Sequence, residues 1–277
     1  MVDYVEHFRR EAQAFVAAVR AVAGQDPAPV VSSCPGWTVT DLVLHLGHVH
    51  KAVAHVISER LTQAPQPGDL SWLGLPAEHE GWMRERVAQH AGGGAAGTPP
   101  ARRPLPAALV QWCSDGAAAL EAQFRATPAS EPVWTWAAGD QTAGFWQRMQ
   151  AIEAAVHRWD AQNATGSPSP VDPDLAADSI LQTFQVMAPM RRAMRHAPPG
   201  RGERFRFSRT DRPGTWVVRF DDDHLTLGDP DDPRDITLAG TASDLMLFLW
   251  HRVPPDALDV HGDARLADRY FDLVPPL

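Results

Sequence analysis

Cysteine is nearly missing from this chain of 277 residues: only Cys34 and Cys113 occur. That excludes a disulfide framework and any metal cluster built on cysteine ligands alone. Lysine is scarcer still. Lys51 is the only one, so the basic charge is carried almost wholly by arginine, a coding bias that fits a high-GC bacterial genome. Positive charge is also in deficit, with 25 basic against 34 acidic residues and a net charge of -9. Such a surface repels phosphate backbones and anionic lipids unless a basic face is segregated from it, and no such face is visible. Nucleic acid is therefore not an expected partner. No apolar run approaches the roughly 20 residues a membrane helix needs, and the opening MVDYVEHFRREAQ is charged, with no apolar signal core. The expectation is a soluble, cytoplasmic protein without a membrane partner. Hydrophobic residues at 44% and charged residues at 21% permit a packed core, and the length suits one large or two ordinary domains.

The first half reads as helical. Val5, Phe8, Ala12, Phe15, Val16, Val19 and Val22 fall at the three-and-four spacing of one helix face. After a Cys-Pro-Gly turn, Thr38 and Asp41 form a capping-box pattern ahead of a helix carrying Val39, Leu42, Val43, Leu46, Val49, Val53 and Ile57. A Pro/Gly loop over 63–76, a short helix over 77–89 and a Gly/Ala/Pro-rich, exposed stretch over 92–100 follow. Further long helices are expected over 105–126 and 144–164. Four long amphipathic helices point to a four-helix bundle.

The pattern changes after Pro170. A helix over 174–195 must be bent or interrupted by Pro189. ERFRFSRT, GTWVVRF, HLTLGD, DITLAG and ALDVHGD are short, partly alternating segments set off by Gly, Pro and Asp, which is the strand signature. Helices are expected over 241–251 and 264–271. The expected fold class is α+β: a bundle over residues 1–168, then a smaller α+β domain over 169–277 with a short-stranded, mainly antiparallel sheet.

Glu153 and His157 are the best candidates for chemistry. Four apart on a helix, they project about 40° from one another, close enough to grip one divalent ion from the edge of the buried face. The same spacing also describes an ordinary solvated Glu–His contact worth about 0.2–0.5 kcal/mol. Asp160 continues the stripe. His45, His48 and His50 form a second cluster. On a helical wheel His48 points away from the core, His45 lies on the flank and His50 lies within the apolar face. Any of them can supply a third ligand, and the wheel alone favours His50, which also reads as a hydrogen-bonded core histidine. An open His/His/Glu set suits zinc or a similar divalent ion. The acidic runs at 221–223 and 229–235 lack the Gly and Glu of a calcium loop and read as solvated turns. No phosphate-binding glycine loop or serine-hydrolase elbow is visible.

CPGWTVTDLVLHLGHVH at 34–50 and FWQRMQAIEAAVHRWDAQNATG at 145–166 resemble the mycothiol-dependent maleylpyruvate isomerase family, as do LAGTASDLMLFLWHRV at 238–253 and LDVHGD at 258–263. The resemblance covers nearly the whole chain. It implies a DinB-like metal-binding four-helix bundle with the family's own C-terminal domain. It also implies metal ligands at His45, Glu153 and His157, so that His45 replaces the wheel's choice of His50. The family's C-terminal domain contributes an arginine to catalysis, and the matching residue is Arg252, which as a bare sequence feature also reads as a helix C-cap.

The implied activity is that of a divalent-metal-dependent isomerase or thiol transferase, with zinc as metal and mycothiol as thiol cosubstrate. A metal-bound thiolate would add to an electrophilic double bond, rotation would follow, and loss of the thiolate would complete cis–trans isomerisation. The small-molecule substrate is expected to be an unsaturated carboxylate gripped by Arg252. Cys34 and Cys113 read as structural. The alternatives are a non-catalytic metal-binding protein and a metal-dependent hydrolase, for which Asp160 is the candidate base.

Overall fold

The fold comes from a computed structural model that describes residues 2–65, 71–91 and 103–276. The stretch over 92–100 lies outside the described residues. The chain divides into two compact units, residues 3–169 and Pro170 onward. No helix among the described residues is long and apolar enough to cross a membrane.

The first unit is built on four long helices: α1 (Tyr4–Arg20), α2 (Val39–Ser58), α4 (Ala107–Ala126) and α5 (Ala143–Ala164). The shorter α3 (Glu80–Ala91) follows two 3₁₀ turns, Ser71–Leu73 and Ala77–His79. α1 packs on α4 and α5, and α2 packs on the same pair, so the helices close a four-membered ring. The apolar stripes meet inside it, with Phe15, Val19, Leu42, Leu46, Leu109 and Val110 all buried. Burying a side chain of this size stabilises by about 1.5–3 kcal/mol. α2 and α4 approach closely at Gly47, where a Cβ would stand 2.1 Å from Trp112 Cζ3. An ion pair sets the rotation of α5 against α1: buried Arg158 donates to Glu11 at 2.8 Å.

The second unit starts with α6 (Pro173–Gln182) and α7 (Ala188–Met194), joined by a π turn over Thr183–Met187. The expected interruption at Pro189 takes this form. Proline offers no N–H and its ring crowds the carbonyl four residues earlier, and the widened turn spans that residue, Gln185. Five strands follow: β1 (Gly200–Arg209), β2 (Thr215–Asp222), β3 (His224–Gly228), β4 (Ile236–Gly240) and β5 (Asp259–Gly262). Their order is β3-β2-β1-β4-β5, antiparallel throughout except for the parallel β1–β4 pair. Gly202, at φ 88, forms the bulge that shifts the β1–β2 register. Phe205 and Phe207 of β1 alternate to the buried face with Val218, Phe220, Ile236 and Leu238. Tyr270 of α9 (Arg265–Leu273) lies edge-on to Phe205, Phe207 and Phe220. α8 (Ala242–Leu249) begins with a capping box of Thr241 and Asp244.

Candidate metal centre

α2 starts where its sequence dictates. Asp41 Oδ2 accepts from the Thr38 backbone N–H at 2.8 Å and from its hydroxyl at 2.7 Å, which satisfies an orphan donor of the first turn. That start sets the angle at which His45 leaves the helix. α5 starts at Thr142, whose hydroxyl accepts from the Phe145 N–H at 3.3 Å, and it carries Glu153 and His157.

The two helices bring His45, Glu153 and His157 together, with one ligand atom from each lying within 4.8 Å of the others. His45 Nε2 is 3.0 Å from Glu153 Oε1, and the His45 and His157 rings meet edge-on at 5.0 Å. The His45 and Glu153 side chains are 18% and 14% exposed, against 7% for His157, so the cluster opens to solvent on the His45–Glu153 side. Trp37 packs against both imidazoles, with ring centroids 5.2 Å from His45 and 6.2 Å from His157.

The electrostatics favour a cation. Burial pushes the Glu153 carboxyl up, but hydrogen bonds from His45 and Gln150 and the neighbouring imidazoles outweigh it and hold the group at about 2. Glu153 is thus a carboxylate at neutral pH. Behind it, Gln150 Nε2 donates to Oε2 at 2.9 Å. Gln150 was not singled out by the sequence reading; its signal is the Gln-x-x-Glu spacing on one helix face. Behind His157, Nδ1 lies 2.9 Å from Asp160 Oδ2, which leaves Nε2 as the nitrogen that could ligate an ion. Two imidazoles and an ionised carboxylate with such outer support fit a divalent ion.

Asp160 has no solvent exposure. It accepts from Ser33 Oγ at 2.6 Å and from Cys34 Sγ at 3.4 Å in addition to His157. This corrects its reading as the base of a hydrolase, since both oxygens are engaged in orienting neighbours. His48 and His50, the other two candidates on α2, do not join the cluster. His48 lies against Trp72 at 6.0 Å, as His55 does at 5.3 Å, rather than pointing clear of the protein. His50 is buried, as the wheel indicates, and packs edge-on against Phe8 at 5.0 Å. Neither of its ring nitrogens has a hydrogen-bond partner among the described residues, which corrects the reading of a hydrogen-bonded core histidine. Burial pushes it down to about 4, so it is neutral. Cys113 is buried in α4, and burial pushes its thiol up to about 12.

In the second unit, Arg252 closes the turn after α8. Its N–H donates to the Leu247 carbonyl at 2.7 Å and its Nη1 to the Trp250 carbonyl at 2.7 Å. Between them His251 stands in the left-handed region at φ 60, a helix-ending conformation that usually falls to glycine.

Residues 8–162 match the family model for the mycothiol maleylpyruvate isomerase N-terminal domain, and residues 174–269 match the model for the C-terminal domain of the same family. Two solved structures share the fold. A histidine-to-alanine mutant of the mycothiol-dependent maleylpyruvate isomerase is 14% identical, with a TM-score of 0.61, covering 93% of this chain and 91% of its own. The unmutated mycothiol-dependent maleylpyruvate isomerase aligns over the same shares at 14% identity, with a TM-score of 0.59. No curated protein matches the chain.

Proposed function

The chain belongs to the mycothiol maleylpyruvate isomerase family, and from that premise we propose that it is a divalent-metal- and thiol-dependent isomerase or thiol transferase. Its proposed substrate is maleylpyruvate or another unsaturated carboxylate, and its cosubstrate is mycothiol. The observation that carries the reading is the convergence of His45, Glu153 and His157 within 4.8 Å. These three residues would hold the metal, and zinc suits the donor set best. A divalent ion held there would supply Lewis acidity, the chemistry that favours ionisation of a thiol at neutral pH.

The chain's own residues do the rest. Glu153 carries the negative charge that offsets a dication, and Gln150, which donates to its Oε2, helps to keep it ionised. Asp160 keeps the His157 proton at Nδ1, so Nε2 stays available. Trp37 shields both imidazoles from water on one side. Arg252, permanently cationic and able to donate two parallel hydrogen bonds, is the group proposed to hold the substrate carboxylate. Neither cysteine supplies the nucleophile in this reading: Cys113 stays protonated in an apolar helix and Cys34 is turned toward Asp160. The thiol must come from outside the chain.

Metal analysis combined with thiol-dependent turnover tests the proposal. The purified protein should hold a divalent ion, and His157→Ala should lose it while helical circular dichroism is retained. Turnover should require an added low-molecular-weight thiol and survive Cys113→Ser. Turnover in rigorously thiol-free buffer would replace this reading with hydrolysis by metal-activated water.

A further inference from the structure

His157 has two edges, and the proposed chemistry uses only one. On the other edge stand Cys34 and Asp160, and one ligand atom from each of Cys34, His157 and Asp160 lies within 4.8 Å of the others. The contacts share one oxygen: Asp160 Oδ2 is 2.9 Å from His157 Nδ1 and 3.4 Å from Cys34 Sγ. Ser33 Oγ donates to the other oxygen, Oδ1, at 2.6 Å. All three donors are buried, but the loop above them is not: Ser32, Pro35 and Gly36 are exposed. Solvent therefore lies a residue away from the thiol.

A thiol, an imidazole nitrogen and a carboxylate form the donor set of a thiophilic cation. With bonds of about 2.0–2.3 Å, donors around one tetrahedral ion sit about 3.5 Å apart. The two separations from Asp160 Oδ2, 2.9 and 3.4 Å, are already close to that, and the third lies within 4.8 Å.

The geometry points to a second cation site, Cys34–His157–Asp160, that competes with the His45–Glu153–His157 set for the shared imidazole. A neutral imidazole offers one lone pair at a time. With the proton on Nδ1, donated to Asp160, Nε2 serves the first set; with the proton on Nε2, Nδ1 serves the second. When a soft dication enters the second site, a metal–Sγ bond forms as the Cys34 S–H bond breaks. The thiol proton passes to buffer, and the ring proton moves from Nδ1 to Nε2 by exchange with solvent. No oxidant or reductant is needed. Occupation of the second site withdraws His157 from the first, so a thiophilic metal acts as a switch against zinc. The competition rests on the function proposed above; the existence of the thiolate site does not.

Cadmium titration of the metal-free protein, followed by the ultraviolet thiolate-to-cadmium charge-transfer band, tests this. Wild type and Cys113→Ser should both develop the band. Cys34→Ser, checked for retained helical circular dichroism, should lose it. His45→Ala should keep it, because His45 is not a donor in this set. Loading with zinc beforehand should move the cadmium midpoint up by about tenfold or more in wild type, and by less in His45→Ala, whose first set is incomplete. Absence of the band in wild type, its persistence in Cys34→Ser, or its loss in His45→Ala would overturn the second site. A band that obeys the variants but ignores zinc would overturn the competition while leaving the thiolate site standing.

Discussion

His157 and Asp160, one turn apart on α5, are joined by a 2.9 Å contact between Nδ1 and a carboxylate oxygen that has no exposure to solvent. The contact decides which edge of the imidazole faces His45 and Glu153. It also makes Asp160 a positioning residue rather than a proton acceptor for water.

Asp160→Asn should therefore lower zinc affinity by about 10–100-fold, measured by competition with a chelator, with the bundle's circular dichroism unchanged. Wild-type affinity in this variant would show that the ring is oriented by something else.

Arg252→Ala should reduce kcat/KM on an unsaturated carboxylate by about 100-fold, the scale of losing substrate alignment, while metal content stays at the wild-type level. Arg252→Lys should recover little, because an ammonium cannot reproduce the paired donors of a guanidinium. Steady-state kinetics with wild-type values for the alanine variant would remove Arg252 from the proposed mechanism.

Gly47→Ala should destabilise the bundle by about 1–3 kcal/mol through overpacking. The added carbon would lie 2.1 Å from the Trp112 ring, and that ring is tethered by its Nε1 bond to the Leu73 carbonyl at 2.9 Å. Urea unfolding reads the change, and an unaltered midpoint would mean that α2 and α4 separate at little cost.

Acid should weaken the second unit through His251. Burial pushes this group down from 6.5 to about 4, with Arg191 and Arg252 adding to the shift against its bond to the Val274 carbonyl. Between those pH values the unfolded chain binds more protons than the folded one, so stability falls as pH drops from 6.5 toward 4 and levels off below. The loss is about 3 kcal/mol. His251→Asn retains a residue tolerant of the left-handed region and removes the titration. Its stability should be flatter across this window in denaturant titrations, and an unchanged slope would assign the effect to another group.

Much of the architecture was legible because its determinants are local. The apolar spacing in α1, α2, α4 and α5 is a property of neighbouring residues, as are the Thr38–Asp41 start and the alternation in β1 and β2. The Glu153–His157 pair is likewise set by helical geometry within one element. Choosing among His45, His48 and His50 was different. A wheel gives each side chain's angle about its own axis but not what the next helix places opposite it. His50 is inward, as its angle requires, yet it meets Phe8 and not the Glu153 carboxylate.

The sequence by itself determined the helices, the strands and the set of candidate donors, because each depends on spacing within a few residues. Only the tertiary structure decided which donors meet. Cys34 and Asp160 stand 126 positions apart, and nothing local announces their 3.4 Å contact or the burial that accompanies it. Whether Glu153 is ionised was decided there too. Burial alone would push its carboxyl up, and a histidine from α2 and a glutamine one turn back on α5 reverse that only once the helices are packed. Charge state and ligand geometry depend on distances across the fold, and those distances exist only after the core has closed.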